Sequence, residues 1–231
     1  MNGKDIWYIK MYEYVPREEY QPVRLQLESI INKVQDLVRD KFTFQYQLIG
    51  SGGHHLITRI AGGNQGFDFD YNLIINNPED SQIWNPDYIR ITFINAFREV
   101  VRGTRYSDPN DKTPVIQIKF IDQDNSRIVH SCDFAMIYYP NDGDSHYYKY
   151  AKHNKYTNQY TWEERSLSKY ADGKVEWIKD NKLWDKLAEE YLKIKNNNKD
   201  ENKHSFSLYL EAINNIFNYY FEEEDEDDDW D

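Results

Sequence analysis

Residues 67 to 75 read FDFDYNLII, and this stretch decides the fold. Apolar and polar residues alternate at first and a continuous apolar run follows, which predicts a strand that ends before Asn76. Asp68 and Asp70 are two residues apart, so their side chains point to the same face of that strand. Two carboxylates this close repel each other, and a bound divalent cation is the simplest way to relieve the repulsion.

A third acid, Asp133, occurs in the apolar stretch RIVHSCDFAMIYY, residues 127 to 139, which is also predicted to be a strand. If the two strands are neighbours, Asp68, Asp70 and Asp133 converge on one spot. Oxygen ligands favour Mg²⁺ or Mn²⁺ over zinc, and two such ions can orient an attacking oxygen and stabilise a leaving oxygen. The alternatives are acids on solvated faces, with Asp133 on the wet face of an edge strand.

A glycine-rich loop precedes these acids. Residues 42 to 49, FTFQYQLI, alternate like a strand, and Gly50-Ser51-Gly52-Gly53 follow. Glycines let the backbone approach a phosphate, and consecutive N–H groups can form an anion-binding nest. No Lys-Ser or Lys-Thr pair follows, so the loop is not a Walker A motif, and its spacing does not match the Rossmann fingerprint.

These motifs together resemble the polymerase-β-type nucleotidyltransferase superfamily over roughly residues 42 to 139. The elements that carry the resemblance are Leu48-Ile49-Gly50-Ser51, Phe67-Asp68-Phe69-Asp70 and Cys132-Asp133-Phe134. The resemblance implies that Gly50 and Ser51 hold a triphosphate and that Asp68 and Asp70 hold two metal ions. It also implies that Asp133 completes the site and helps to activate an acceptor hydroxyl. The Thr58-Arg59 pair resembles a feature of the oligoadenylate-synthase and cyclic-nucleotide-synthase branch, in which a threonine follows the Gly-Ser loop.

Tyrosines and lysines are frequent after the third acid. The tyrosines either stack on a base or alternate between core and surface; they are Tyr138, Tyr139, Tyr147, Tyr148, Tyr150, Tyr156 and Tyr160. In the family a lysine after the third acid often reaches the triphosphate, which makes Lys152 a candidate nucleotide-binding residue. Arg98, Arg102 and Arg105 either meet phosphate or form a solvated face.

The remaining pattern predicts an α+β fold: a small mixed nucleotidyltransferase-type β-sheet with helices packed on it and a C-terminal helical region. Helices are expected over residues 18 to 40 and from the Asn85-Pro86 cap to Gly103. Residues 114 to 121 and 127 to 139 should form a hairpin. A polar stretch should follow Pro140, and later helices are expected near 162–171, 175–195 and 204–221. The predicted division is an N-terminal segment and helix (1–41), a catalytic core (42–160), a helical region (161–221) and a disordered acidic tail (222–231).

The composition of the chain excludes several classes of protein. The 231 residues include 28 Lys and Arg against 40 Asp and Glu, and the final EEEDEDDDWD holds most of the net charge of −12. No apolar run reaches the ~18 residues of a membrane span, and there is no apolar signal-peptide core at the start. Cys132 is the single cysteine, which excludes a disulfide framework and a cysteine-based zinc cluster. We therefore expect a cytoplasmic protein without a membrane partner.

The sequence thus predicts a metal-dependent nucleotidyltransferase that moves NMP from an NTP, such as ATP, to a hydroxyl and releases pyrophosphate. A small molecule, a nucleotide or a protein side chain is the expected acceptor. Nucleic acid is possible but not favoured, because the chain has no long basic stripe and phosphate contacts supply most of the affinity for nucleic acid. The alternative is a non-catalytic nucleotide-binding or interaction module, for example a toxin–antitoxin partner, that docks through the acidic tail and Trp230.

Overall fold

The computed structural model describes residues 10–76, 84–140, 147–166, 171–200 and 202–227, and side chains as far as residue 221. The elements in chain order are β1 (Tyr12–Tyr14), α1 (Arg17–Val38), β2 (Phe44–Ile49), α2 (Gly50–Gly53), β3 (Thr58–Ile60), β4 (Phe67–Ile75), α3 (Pro86–Val101), β5 (Asn110–Asp111), β6 (Ile116–Asp122), β7 (Arg127–Tyr138), β8 (Tyr147–Asn154), β9 (Gln159–Ser166), α4 (Asp172–Asp180), α5 (Trp184–Asn197) and α6 (Ser205–Asp227).

The chain divides into two compact units. The first, which we call the sheet unit, comprises Val15–Ile57 and Gly63–Leu167. The second comprises Met1–Tyr14, Thr58–Gly62 and Ser168–Asp231. In the second unit β1 and β3 pair antiparallel, and helices α4, α5 and α6 pack together.

A seven-stranded mixed sheet forms the centre of the sheet unit. Its strand order is β2-β4-β7-β6-β5, and β8 pairs with the end of β7 and with β9. Strands β4 and β7 are parallel, whereas the other pairs are antiparallel. The mixed α+β architecture predicted from the sequence is confirmed.

Helices α1 and α3 supply the hydrophobic layer of the sheet unit. Both carry apolar residues at helical spacing, and these bury against the sheet. On α3, the Phe93 ring lies 5.0 Å from that of Phe44, and the Phe97 ring lies 4.3 Å from that of Phe134. Alternate residues of β4 and β7 face this layer, so the residues between them, which include the acids, face the opposite side.

Several predicted elements are confirmed closely. Strand β4 covers residues 67 to 75 as expected, and β6 and β7 form the expected hairpin. The Asn85 side chain caps α3 by accepting a hydrogen bond of 2.9 Å from the Asp87 N–H. Proline at the first helical position fixes a helical φ where no intrahelical bond is lost, which explains why the helix begins there.

The region after Pro140 differs from the prediction. The polar stretch to residue 160 and the helix at 162–171 were expected, but residues 147 to 166 form the β8–β9 hairpin. In β8 the buried Ala151 and His153 alternate with Tyr150 and Lys152, and the two strands match over eight residues each. The tyrosines and charged residues conceal this alternation in a hydropathy pattern. Residues 167–170 lie outside the described part of the chain.

The C-terminal helices also differ in their bounds. The helix expected over 175–195 is two helices, because the chain turns at Asn181–Leu183, where Lys182 has a φ of +58°. Helix α6 continues to Asp227, into the stretch expected to be a disordered tail, and Trp230 lies outside the described residues. Within the residues that the structure describes, no helix is long and apolar enough to span a membrane.

The segment between the glycine loop and β4 contains one short strand, β3. It contributes β3 to the second unit, where the Thr58 hydroxyl accepts a hydrogen bond of 2.7 Å from the Lys195 ammonium. Arg59 pairs with Glu13 at 2.7 Å across the β1–β3 ribbon. The Thr58-Arg59 pair that resembles the synthase branch therefore lies in this ribbon.

Candidate active site

The acids meet because β4 and β7 are parallel neighbours. Their register places Asp70 beside Asp133 and Asp68 beside Ser131, all on the sheet face opposite the helices. The Ser131 hydroxyl donates a hydrogen bond to Asp68 Oδ1. Strand β7 is an interior strand, and the Asp133 side chain is 26% exposed, so Asp133 is not on the wet face of an edge strand.

The site holds more negative charge than its neighbours neutralise. Burial first, and then repulsion from Asp133 and Asp68, raise the pKa of Asp70 to about 7. Burial also raises the pKa of Asp133, although Lys112 and Gln117 partly oppose this rise. The Lys112 ammonium lies 3.9 Å from Asp133 Oδ2, and the Gln117 amide donates a 2.6 Å hydrogen bond to Asp133 Oδ1.

A cation would relieve this repulsion, and the oxygen-only donor set fits Mg²⁺ or Mn²⁺. Among the residues described, however, no group of three acidic, histidine or cysteine side chains is arranged to hold a metal ion by itself. An ion held at these acids would also take oxygen ligands from water or from a bound molecule.

The glycine loop begins directly over Asp70. Ile49, the last residue of β2, pairs with Asp70, and the next residue, Gly50, has a φ of +59°. A Cβ at Gly50 would lie 3.0 Å from Asp70 Oδ2. Gly52 is buried, and a Cβ there would lie 2.9 Å from the Leu48 side chain. The predicted loop is thus a single helical turn, and glycine is required where the turn approaches the acid.

Ser51 lies in the same turn and is partly exposed. Its carbonyl accepts a hydrogen bond of 2.8 Å from the Leu56 N–H, which closes the loop behind it. The structure therefore brings Gly50 close to Asp70, and Ser51 is the next residue of the same helical turn.

A pocket of about 170 Å³ borders Asp70 and Asp133. One wall contains Pro114 and Val115, and another contains residues of the β8–β9 hairpin, namely Tyr148, Tyr150 and Arg165. The Arg165 guanidinium lies 5.0 Å from the centre of the Tyr150 ring. Aromatic rings and a guanidinium beside carboxylates form a surface suited to a flat ring that carries anionic groups.

The other tyrosines of the run have different surroundings. Tyr138 packs on Trp84, with ring centres 4.2 Å apart, and Tyr160 hydrogen-bonds to Asp111. Tyr156 is exposed. These tyrosines belong to the core or the surface, whereas Tyr148 and Tyr150 line the pocket, where stacking on a base stays a prediction.

Lys152 lies on the same face of β8 as Tyr148 and Tyr150 but does not line this pocket. Its ammonium pairs with Glu163 on β9 at 2.9 Å. A different cationic side chain, that of Arg165, lies in the pocket lining.

Sequence reasoning missed four residues of the site: Lys112, Gln117, Ser131 and Arg165. Ser131 is two residues before Asp133, so a period-2 count places it on the same face. Gln117 can be identified only when the register of the β6–β7 hairpin, which pairs it with Asp133, is known. Lys112 and Arg165 reach the site from a loop and a distant hairpin, and no local pattern identifies them.

No family model and no curated protein sequence matches the chain. Solved structures do. The c-di-GMP synthase CdnE from Capnocytophaga granulosa matches with a TM-score of 0.57 and 17% identity over 87% of this chain and 61% of that chain. Vibrio cholerae DncV, a cyclic AMP-GMP synthase, matches with a TM-score of 0.53 and 12% identity over 79% of this chain and 60% of that chain.

The 3'-deoxy GTP-bound form of Vibrio cholerae DncV matches with a TM-score of 0.58 and 11% identity, over 87% of this chain and 66% of that chain. The chain thus spans about three-fifths to two-thirds of the length of these structures. At these identities the likeness concerns the fold, and it agrees with the motifs on β2, β4 and β7. The chain therefore shares its fold with these synthase structures, as the resemblance in its sequence leads one to expect.

Proposed function

We propose that this chain is a metal-dependent nucleotidyltransferase that moves NMP from an NTP to an acceptor hydroxyl and releases pyrophosphate. The observation that carries the proposal is the pairing of Asp70 with Asp133 beside Gly50, at the edge of a pocket with aromatic and cationic walls. The fold shared with nucleotide-binding synthases supports it.

Asp68, Asp70 and Asp133 would hold Mg²⁺ or Mn²⁺, as two ions. When bound, such ions stabilise the charge that develops on the transferring phosphoryl group and on the leaving pyrophosphate. The raised pKa of Asp70 fits this role. A bound cation would lower that pKa again, because a nearby positive charge favours the ionised carboxylate. The triphosphate would supply oxygen ligands beyond those of the three acids, so we expect metal and nucleotide to bind together.

The protein groups have separate tasks in this proposal. The backbone N–H groups of Gly50 and Ser51 would bind the triphosphate, and Tyr148 and Tyr150 would stack on the base. Arg165 would neutralise charge on the phosphates. Asp133 would accept the proton of the acceptor hydroxyl. The acceptor oxygen then bonds to the α-phosphorus while the bond from that phosphorus to the bridging oxygen of the pyrophosphate breaks.

The acceptor can be a small molecule, a nucleotide or a protein side chain. The matched structures are named as c-di-GMP and cyclic AMP-GMP synthases, so a second nucleotide is the first acceptor to test. The excess of acidic residues gives no support to a polynucleotide acceptor.

The test is incubation with each NTP and Mg²⁺ or Mn²⁺, followed by mass spectrometry of all products and of the protein. We expect pyrophosphate and a nucleotidyl product. Asp70→Asn and Asp133→Asn should reduce turnover by about a thousandfold or more, as loss of an essential catalytic group does. The matched control is Asp124→Asn in the exposed β6–β7 turn, which should keep wild-type turnover. Unchanged turnover in Asp70→Asn would contradict the proposal.

The competing function is a nucleotide-binding or interaction module without turnover. The same assay decides between the two. Mg²⁺-dependent nucleotide binding without consumption of any NTP would support the module, and NTP consumption that depends on Asp70 would exclude it.

A further inference from the structure

A buried arginine lies beneath the loop that carries Lys112 to Asp133. Arg90 on α3 is 0% exposed, and its Nε donates a 2.8 Å hydrogen bond to Asp111 Oδ1. Its two terminal nitrogens donate to three backbone carbonyls, those of Lys112, Val115 at 2.7 Å and Ala151 at 2.6 Å. One guanidinium therefore joins α3, the loop after β5 and strand β8.

Two side chains of the β8–β9 hairpin also contact Asp111. The Tyr160 hydroxyl donates a 2.6 Å hydrogen bond to Asp111 Oδ2, and His153 Nδ1 lies 3.1 Å from the same oxygen. The backbone N–H of His153 donates a 2.8 Å hydrogen bond to the Thr113 carbonyl. We call the side chains of Arg90, Asp111, His153 and Tyr160 the Asp111 hub.

The hub holds a segment that has little regular structure of its own. Strand β5 is only two residues long, and its register ends with Asp111 opposite Ile116. Between these paired residues the chain makes a turn closed by a 2.9 Å bond from the Lys112 N–H to the Val115 carbonyl. Arg90 donates to the Lys112 carbonyl and gives the Val115 carbonyl a second donor, which a buried apolar residue cannot do.

Fold stability alone is a weak reason to bury this charge. An ion pair removed from water gains little over apolar residues of the same volume, because desolvation offsets the attraction. The geometry gives another reason. The turn carries Lys112, 3.9 Å from Asp133, and its Pro114 and Val115 line one wall of the pocket.

We propose that Arg90 is a positioning residue of the site: through the Asp111 hub it fixes residues 111–115 against the β8–β9 hairpin and so sets Lys112 against Asp133 and the two pocket walls against each other. The effect on turnover rests on the proposed function, whereas the effect on the loop does not.

The test compares Arg90→Lys and Tyr160→Phe with Arg98→Lys. Lysine keeps the charge at position 90 but cannot reach several acceptors with a fixed fork, and Tyr160→Phe removes one bond to Asp111 from the opposite side. Arg98 is a matched control because it lies on the same helix, is exposed and donates a 2.9 Å hydrogen bond to Asn95 of that helix. Hydrogen exchange of residues 110–116, the acylation rate of the Lys112 amine, and kcat and KM for NTP are measured.

In Arg90→Lys we expect exchange of residues 110–116 to be about tenfold faster, as for a lost buried charge-assisted hydrogen bond. Lys112 should be acylated faster, and kcat should fall about tenfold with KM changed less, because the reacting groups lose their alignment. Tyr160→Phe should change each quantity in the same direction by about threefold. In Arg90→Lys and Tyr160→Phe, hydrogen exchange of α1 should match the wild type. In Arg98→Lys, every measured quantity should match the wild type.

Unchanged exchange and unchanged Lys112 acylation in the folded variants would overturn the inference, and so would exchange that accelerates equally in α1. If Arg90→Lys does not fold, Tyr160→Phe decides alone by the same criteria. A wild type that consumes no NTP would contradict the proposed function instead, and the exchange and acylation results would still decide the inference.

Discussion

At the residue scale, both the backbone conformation at position 50 and the closeness of Asp70 require glycine there. Its φ of +59° is unfavourable for any residue with a side chain, and a Cβ would lie 3.0 Å from Asp70 Oδ2. We expect Gly50→Ala to lower the free energy of unfolding by about 1–2 kcal/mol and to abolish turnover, because the added methyl displaces the Asp70 carboxylate. Chemical denaturation and the NTP assay measure the two effects.

Gly62 provides the matched control for this change. Its φ is +67°, but a Cβ there would have no atom within 4 Å. Gly62→Ala should therefore show a loss of about 1 kcal/mol from the backbone alone and keep wild-type turnover. Equal turnover in the two variants would show that contact with Asp70 is unimportant.

Asp70 should destabilise the metal-free protein at alkaline pH. Its folded pKa of about 7 exceeds the ordinary value of 3.8, so the folded state binds more protons than the unfolded state between these values. Stability should therefore fall as pH rises from about 4 to 7 and stay low above it. We expect Asp70→Asn to raise the free energy of unfolding by on the order of 2 kcal/mol at pH 8, and by less at pH 5.

Urea denaturation in EDTA at both pH values measures this difference, with Asp124→Asn as the control. A variant that is less stable than the wild type at pH 8 would contradict the interpretation. A gain in stability combined with a loss of turnover is the behaviour expected of a residue kept for its chemistry.

At the scale of elements, the β8–β9 hairpin supplies Tyr148, Tyr150 and Arg165 to the pocket lining. Arg165 lines the pocket, whereas Lys152, on the neighbouring strand, pairs with Glu163 outside that lining. We expect Arg165→Met to raise KM for NTP about tenfold, as for a lost charge-assisted contact. Lys152→Met should change KM by less than about twofold, as for a surface ion pair. Steady-state kinetics with both variants decides which cation serves the nucleotide.

The elements also show what the sequence can and cannot predict. Strand β4 and its two acids follow from a local period of two, and the loop at Gly50 follows from its composition. The β8–β9 hairpin was missed because tyrosine, lysine and histidine occupy both of its faces, so the alternation is one of burial rather than of hydropathy. The Arg90–Asp111 contact joins residues 21 positions apart through a loop, and only the folded sheet brings them together.

At the scale of the whole molecule, charge and fold act together. The chain carries a net charge of −12, and at the site a group of acids repel one another, which the nearby Lys112 offsets only in part. A cation is therefore favoured at the site, yet the described side chains offer it no ready three-ligand arrangement. Metal and nucleotide should consequently each improve the binding of the other.

This coupling can be measured by thermal unfolding of the intact chain. With Mg²⁺ alone or NTP in EDTA alone we expect small shifts of Tm, and with both we expect a shift well above their sum; about 2.7 kcal/mol of stabilisation corresponds to ligand at a hundred times its Kd. Asp133→Asn should lose the cooperative part of the shift, because it removes one of the paired carboxylates, while Asp124→Asn should retain it. An NTP shift that is the same in EDTA and in Mg²⁺ would contradict a shared site, because nucleotide binding would then be independent of the acids.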